Sequence, residues 1–442
     1  MVGMRSPCIL NIIMHTFYNS DIGLLKSVLV HSPGNEIAKI VPLIQEENAS
    51  LSLDYLGANA TKEHRAFLKL LHTQGVQVLE LKNLLSAAIA DAKKSEYWEG
   101  WLETMPKTHM EGKVRSQDIT AEDLLGASDR SYYNLDSTNR LVPIFSPQRM
   151  LLFCRDLSVM TPKGLVLCNF VNKYRFSESH LARLIFERSE PFRSLPIVLD
   201  AIKEGVYIQG GDLIVKDKNT LLLGVNNLTE KNAARLLAQR LDMLVVAVNL
   251  PPAISISKDI YGNFTNANLS LLHLDSVFSL VDTDKFLVVP YWFEKASKSA
   301  LLGNVVLGLD PYSSLQPRLL QRMEDVGWVT LYHPGSGKEE RLNMKLVDFL
   351  KLQGYSPIYV GGDKLTANPY KHMVERVLPE LRFQASNVVA LRPGEVISYA
   401  GNQQHTIKAL RQHNITVHTF RADALPRWHG GPHCLTMPIE RI

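Results

Sequence analysis

Cysteine is scarce in this chain: the 442 residues hold four, Cys8, Cys154, Cys168 and Cys434. They are widely separated, with no CxxC pair and no Cys/His cluster of zinc-finger spacing, which argues against a disulfide framework and a structural zinc module. Charge of one sign is lacking too. With 48 Lys and Arg against 44 Asp and Glu, the formal net charge is +4 and the two signs are interspersed, so the electrostatic footprint of a nucleic-acid binder is missing. No run approaches the roughly 18 uninterrupted apolar residues a membrane span needs. The opening "MVGMRSPCILNIIMHTFYNS" carries only a short apolar run, without a small-residue cleavage site. These absences predict a reduced, cytoplasmic protein that engages neither nucleic acid nor membrane.

What is present is the balance of a globular protein, 45% hydrophobic and 21% charged. Residues 21–31, "DIGLLKSVLVH", predict a buried strand closed by the turn "SPGN"; a helix around "TKEHRAFLKLLHTQG" and a strand "VQVLEL" follow. Residues 86–145 are polar and helix-prone and read as an inserted helical subdomain, in which Trp98 and Trp101 are spaced for one side of a helix and so for packing. Short β-like runs then return between helices. They are "MLLFC", "GLVLCNF", "VYIQG", "DLIVKD", "TLLLGV" and "MLVVAVNL", and later "VFSLVD", "KFLVVPYWF", "SPIYVGG", "NVVALRPGEVISYA" and "ITVHTF", with helices at "TEKNAARLLAQRL", "RLNMKLVDFLKLQG" and "QQHTIKALRQHN". A strand, strand, helix, strand order recurs, which predicts an internally repeated α/β architecture. "HPGSGKEE" lacks the glycine and the Ser/Thr of a phosphate loop and is set aside.

Four stretches put Asp, His or Cys beside strand ends: "FCRDLSV" with Asp156, "IQGGDLIV" with Gln209 and Asp212, "LLHLDSVFS" with His273 and Asp275, and "GGPHCLTMP" with Cys434. Such positions project a side chain from a rigid support. A thiolate nucleophile needs a histidine to move protons. Two carboxylates beside a thiolate make sense only if they hold a cation, and a carboxylate pair can grip a planar guanidinium by charge-assisted hydrogen bonds. The set therefore suits attack on a guanidinium carbon better than on an amide, whose oxyanion these anions would oppose.

In these residues the chain resembles the arginine deiminases and, more broadly, the amidinotransferase superfamily of guanidine-modifying enzymes. The resemblance runs from "DIGLLKSVLVHSPGNEI" through "RDLSV", "GGDLIV" and "HLDSVFSLVD" to "GGPHCLTMPIER", in the family's order. It implies a five-bladed α/β propeller of repeated ββαβ units. Residues 1–85 would be its first part, 86–145 the helical insertion and 146–442 the remainder. It implies that Cys434 is the nucleophile and His273 the acid and base; an enzyme on this plan is expected to carry a reactive, low-pKa Cys434 that a haloacetamidine labels far faster than Cys8 or Cys154. Asp156 and Asp275 would clamp the guanidinium, Arg175 would hold the substrate carboxylate, and Asp212 would lie near the substrate. No metal and no organic cofactor is implied; the partner is a small guanidino molecule, and a homo-oligomer is left open.

The chain departs from the family at four positions. Gln209 stands where the family has the Glu that orients the histidine, an amide that hydrogen-bonds but carries no charge. Met150, Leu228 and His429 stand where the family has an Asn and two Arg around the substrate carboxylate. Two lost cations weaken that grip by a few kcal/mol, at about 1.5–3 kcal/mol for each charge-assisted bond. His429 and His433 read as solvated loop residues. The expected activity is hydrolysis of arginine or a related guanidino compound to citrulline or its analogue and ammonia. The rivals are an amidinotransferase with an amine acceptor and a non-catalytic binding relative.

Overall fold

The computed structural model describes residues 18–37, 53–107, 114–128, 133–135, 141–148, 150–172, 175–251, 255–258, 264–270, 273–295, 325–365, 367–401 and 403–442. Cys8 and most of the opening segment lie outside them. Among the described residues no helix is long and apolar enough to cross a membrane.

The strands form on the apolar runs, and most are covered on both faces. Gly164–Leu167 and Leu213–Asp217 are buried almost throughout, which is why their sequences do not alternate. Helices cover them with one stripe each. In Lys231–Leu241 the buried residues are Ala233, Ala234, Leu237, Ala238 and Leu241, three and four apart, and the helix stops at Asp242 in the left-handed region. Each large side chain so buried contributes about 1.5–3 kcal/mol relative to exposure.

Among the described residues, five sheets share one plan: a strand pairs antiparallel with the next, which pairs parallel with a third, and a helix crosses over before that third strand. Ser158–Thr161, Gly164–Leu167 and Ile197–Asp200 with helix Phe176–Arg188 form one such unit. Leu213–Asp217, Thr220–Val225 and Leu244–Asn249 with helix Lys231–Leu241 form another. Phe278–Asp282, Lys285–Val288 and Ser356–Tyr359 repeat it with helix Leu346–Leu352, as do Val389–Arg392, Glu395–Ala400 and Thr416–Arg421 with helix Gln404–Gln412. The first unit differs only in connectivity: Leu25–Val30 pairs parallel with Gln77–Glu80 across helix Leu53–Thr73, and its antiparallel partner is Met437–Arg441. Successive units touch one another, and Leu25–Val30 of the first meets Val389–Arg392 of the fifth.

Several expectations are corrected. "MLLFC" is no strand: Leu151, Leu152 and Phe153 are buried in a turn that runs into a 3-10 turn at Cys154–Leu157. A short apolar run reports burial, not conformation. "VYIQG" contributes only an isolated bridge from Ile208 to Asn169. "RLNMKLVDFLKLQG" splits into strand Glu339–Lys345 and helix Leu346–Leu352, because the turn before it folds residues 339–345 back on Trp328–Tyr332. Helix Leu81–Ala92 begins directly at the end of strand Gln77–Glu80, and helix Tyr97–Thr104 follows it. There Trp98 and Trp101 stack at 5.5 Å, both buried, as their spacing predicts.

Candidate active site

In each of the five units, the residues just ahead of the first strand turn toward one place. Asp156 lies in the 3-10 turn Cys154–Leu157 before Ser158–Thr161, and Gln209 precedes and Asp212 ends the turn Gly210–Asp212 before Leu213–Asp217. His273 and Asp275 belong to the turn Leu274–Ser276 before Phe278–Asp282. Asn387 precedes Val389–Arg392, and Cys434 precedes Met437–Arg441. The turns pack tightly enough to need glycine. A Cβ on Gly210 would come 1.9 Å from the Arg155 carbonyl oxygen, a contact no side chain survives.

The Cys434 thiol donates to Asp275 Oδ2 at 3.3 Å, and the Asn387 amide donates to the Cys434 sulfur at 3.1 Å. Asn387 also accepts from the Cys434 backbone N–H at 3.0 Å and donates to the Asp275 carbonyl at 3.0 Å. His433 Nδ1 donates to Asp275 Oδ2 at 2.8 Å. Asp275 Oδ1 has no hydrogen-bond partner among the described residues, although it is buried. On the other side, Asp156 Oδ1 accepts from the Gly211 N–H at 3.3 Å and lies 3.5 Å from His273 Nδ1, while Asp156 Oδ2 pairs with Arg175 at 2.8 Å. His273 Nε2 and Gln209 Oε1 are 2.7 Å apart; the amide oxygen only accepts, so it holds the Nε2 proton and turns Nδ1 toward Asp156.

Burial acts on the thiol and the carboxyls of this site, and only for Asp156 among them do the neighbours reverse its effect. Burial pushes the Cys434 thiol well above its ordinary range, and the Asp275 and Asp156 carboxylates push it the same way. Burial also raises Asp275 to about 6, with His273 pulling down and Asp156 pushing up. Asp156 is buried as well, yet His273 and Arg175 hold its carboxyl below the usual range. Asp212 is driven well above that range by burial despite bonds from Thr229 and the Leu274 N–H.

All seven residues singled out in the sequence are buried in or against this site. Asp212 accepts from the Thr229 hydroxyl at 2.6 Å and from the Leu274 N–H at 2.9 Å, so it ties two turns together. Arg175 is largely spent on carboxylates: besides Asp156 it pairs with Glu178 at 2.8 Å and lies over the Phe170 ring. Its Nη2 is buried without a partner among the described residues. Three readings are corrected. The free thiol is not low in pKa, because burial raises it and the Asp275 and Asp156 carboxylates raise it further. His433 is no solvated loop residue; it is buried against Asp275, and burial pushes its ring well below the ordinary range. His429 is half-buried in the left-handed region, and desolvation of its ring pushes its pKa down to about 4. Sequence reasoning missed Asn387. The signal was the repeat itself, since Asn387 stands two residues before its strand as Asp156 does before Ser158.

Comparison with known proteins follows the same line. The family model described as arginine deiminase matches residues 55–133 and 102–441. The chain is 28% identical over 445 residues to the arginine deiminase of Metamycoplasma arthritidis and 26% identical over 443 residues to that of Mycoplasma capricolum subsp. capricolum, covering 96% of each partner. Among solved structures it is similar to SxtG, an amidinotransferase from Microseira wollei in the saxitoxin biosynthetic pathway, with a TM-score of 0.50 and 13% identity over 96% of this chain and 97% of that one. At that identity the likeness concerns the fold alone.

Proposed function

The chain belongs to the arginine deiminase family, and from that membership we propose that it hydrolyses arginine to citrulline and ammonia through a covalent intermediate on Cys434. The observation that carries the reading is the 3.3 Å approach of the Cys434 sulfur to Asp275, within one buried group that also holds Asp156 and His273. Among the described residues Asp275 Oδ1 lacks a partner, which supports its use as an acceptor for an incoming cation.

The chemistry follows from charge. A guanidinium between Asp156 and Asp275 brings the positive charge that the empty site lacks, so the thiol can release its proton to His273. The thiolate adds to the guanidinium carbon, forming the C–S bond. His273 returns the proton to one terminal nitrogen, the C–N bond breaks and ammonia leaves, with the carbon held as a thiouronium on Cys434. His273, again neutral, takes a proton from water as the water oxygen adds to the same carbon. The C–S bond then breaks with its electron pair returning to sulfur, the new hydroxyl gives its proton to solvent as the C=O forms, citrulline departs, and His273 hands its proton back to the thiolate. Gln209 holds Nε2 of His273 without adding charge, so the protonated histidine gains less than a carboxylate would provide. Arg175, through Nη2, is the proposed anchor for the substrate carboxylate, with Leu228 and His429 offering no guanidinium there.

For the architecture we propose the five-bladed propeller, with 86–145 as an insertion between the first and second blades; the unit-to-unit contacts and the pairing of Met437–Arg441 with Leu25–Val30 support it. Among the described residues Cys154, Cys168 and Cys434 are unpaired, which fits the proposed cytoplasmic location.

The test is to incubate the purified protein with arginine and assay citrulline and ammonia. Cys434→Ala is expected to form neither, and activity surviving in it would refute the nucleophile. Gln209→Glu is expected to raise kcat. An added amine that speeds turnover and is itself amidinated would reassign the protein to amidino transfer.

A further inference from the structure

We infer that Asn387 is a catalytic residue of this site, its side-chain amide orienting the Cys434 sulfur and donating a hydrogen bond to it as the thiolate forms. The inference rests on the reading of Cys434 as the nucleophile.

The neighbours decide which way the amide faces. The Cys434 backbone N–H can only donate, so the Asn387 atom 3.0 Å from it is the oxygen. The NH₂ group then faces two acceptors, the Asp275 carbonyl at 3.0 Å and the Cys434 sulfur at 3.1 Å, one for each hydrogen. Asn387 is fully buried, where an unsatisfied amide is costly, and among the described residues its side-chain hydrogen bonds go to Cys434 and Asp275. Backbone contacts extend the same link: the His433 N–H donates to the Asn387 carbonyl at 3.4 Å. The close approach depends on Gly431, where a Cβ would fall 2.6 Å from both the carbonyl and the side-chain oxygen of Asn387. The second glycine of the motif before Cys434 thus has a specific partner.

The two contacts on sulfur respond oppositely when the proton leaves. As a thiol, Cys434 donates to Asp275 and accepts from Asn387. As a thiolate, it faces Asp275 with its donor lost, while the bond from Asn387 becomes charge-assisted and roughly doubles in strength. Asn387 therefore favours the attacking form. When the C–S bond breaks and its electron pair returns to sulfur, the same N–H is already in place, so both halves of the reaction use it. The position also completes the repeat, because the fifth unit then supplies a site residue from the same entry segment as the other four.

The experiment compares wild type with Asn387→Ala and Asn387→Asp; the latter keeps the volume and an oxygen for the Cys434 N–H but removes the donor to sulfur. Three quantities are read: kcat and KM for arginine, the rate of Cys434 alkylation by iodoacetamide at about pH 8 located by peptide mapping, and the thermal midpoint. In both variants kcat is expected to fall by about tenfold or more with KM within about threefold, and alkylation to slow about tenfold, the loss of thiolate that a rise of one pKa unit produces. A merely structural role would loosen the packing around a buried sulfur and speed alkylation. Alkylation as fast as or faster than wild type, or kcat within about twofold of it, overturns the inference. Because alkylation needs no turnover, a wild type that leaves arginine untouched would sink the proposed function while the rate comparison still decides the role of Asn387.

Discussion

At the scale of the residue, Asp275 shows what the site costs the folded protein. Its carboxyl is raised to about 6 by burial, so between about pH 4 and 6 the folded chain keeps a proton that the unfolded chain has released. Stability contributed by this group therefore falls as pH rises through that window and stays reduced above it, by up to about 3 kcal/mol at 1.36 kcal/mol per unit. Asp275→Asn removes the penalty while keeping an oxygen for His433. In the absence of substrate its thermal midpoint is expected to exceed that of wild type at pH 7, with the difference shrinking toward pH 4, and its activity to vanish. A variant no more stable than wild type at pH 7 would contradict this account. In wild type, kcat/KM for arginine is expected to decline below about pH 6, where Asp275, the proposed clamp, carries a proton and cannot pair with a cation.

At the scale of the element, the turns ahead of the strands, rather than the strands, supply the residues of the proposed site. The turn Cys154–Leu157 and the turn Gly210–Asp212 are in contact, and Gly210 sits where any side chain would drive into the Arg155 backbone. Gly210→Ala is expected to destabilise by about 1–3 kcal/mol or more, since the obstacle is backbone and cannot swing aside. It is also expected to cut turnover by moving Asp156 away from His273. Gly100 in helix Tyr97–Thr104 is the contrast: an added Cβ there meets nothing within 4 Å, and Gly100→Ala is expected to stabilise by about 0.5–1 kcal/mol. Urea unfolding midpoints of the two variants, with kcat alongside, check both signs.

At the scale of the molecule, one strand joins the two ends of the described fold. Met437–Arg441 lies antiparallel to Leu25–Val30, buries Met437 and Ile439, and sends Arg441 to the Gly23 carbonyl at 2.7 Å. Met437 also receives the Ser158 hydroxyl, linking this strand to the second unit. A chain stopped after Thr436 keeps Cys434 but loses the support that aims it. It is expected to show no arginine turnover and to lose the sharp near-ultraviolet dichroism of packed aromatics. A cooperative unfolding transition equal to that of the full chain would overturn the structural role given to this strand.

The chemical inventory is local in character, and the chain written out already contained it. Asp156, His273, Asp275 and Cys434 were legible because short polar groups between apolar runs mark strand ends, and the recurring strand and helix signals foretold the repeated α/β plan. Tertiary structure alone decided three things. The thiol is high rather than low because packing buries it and because the Asp275 and Asp156 carboxylates of other units act on it, and burial and charge both depend on distance through space. His433 is buried rather than solvated because Asp275, 158 residues away, accepts its N–H. Asn387 meets the sulfur because the units bring their entry segments to one place. Residue type and local pattern follow from the chain itself; which groups share a dielectric and a hydrogen bond follows from packing between segments far apart along it.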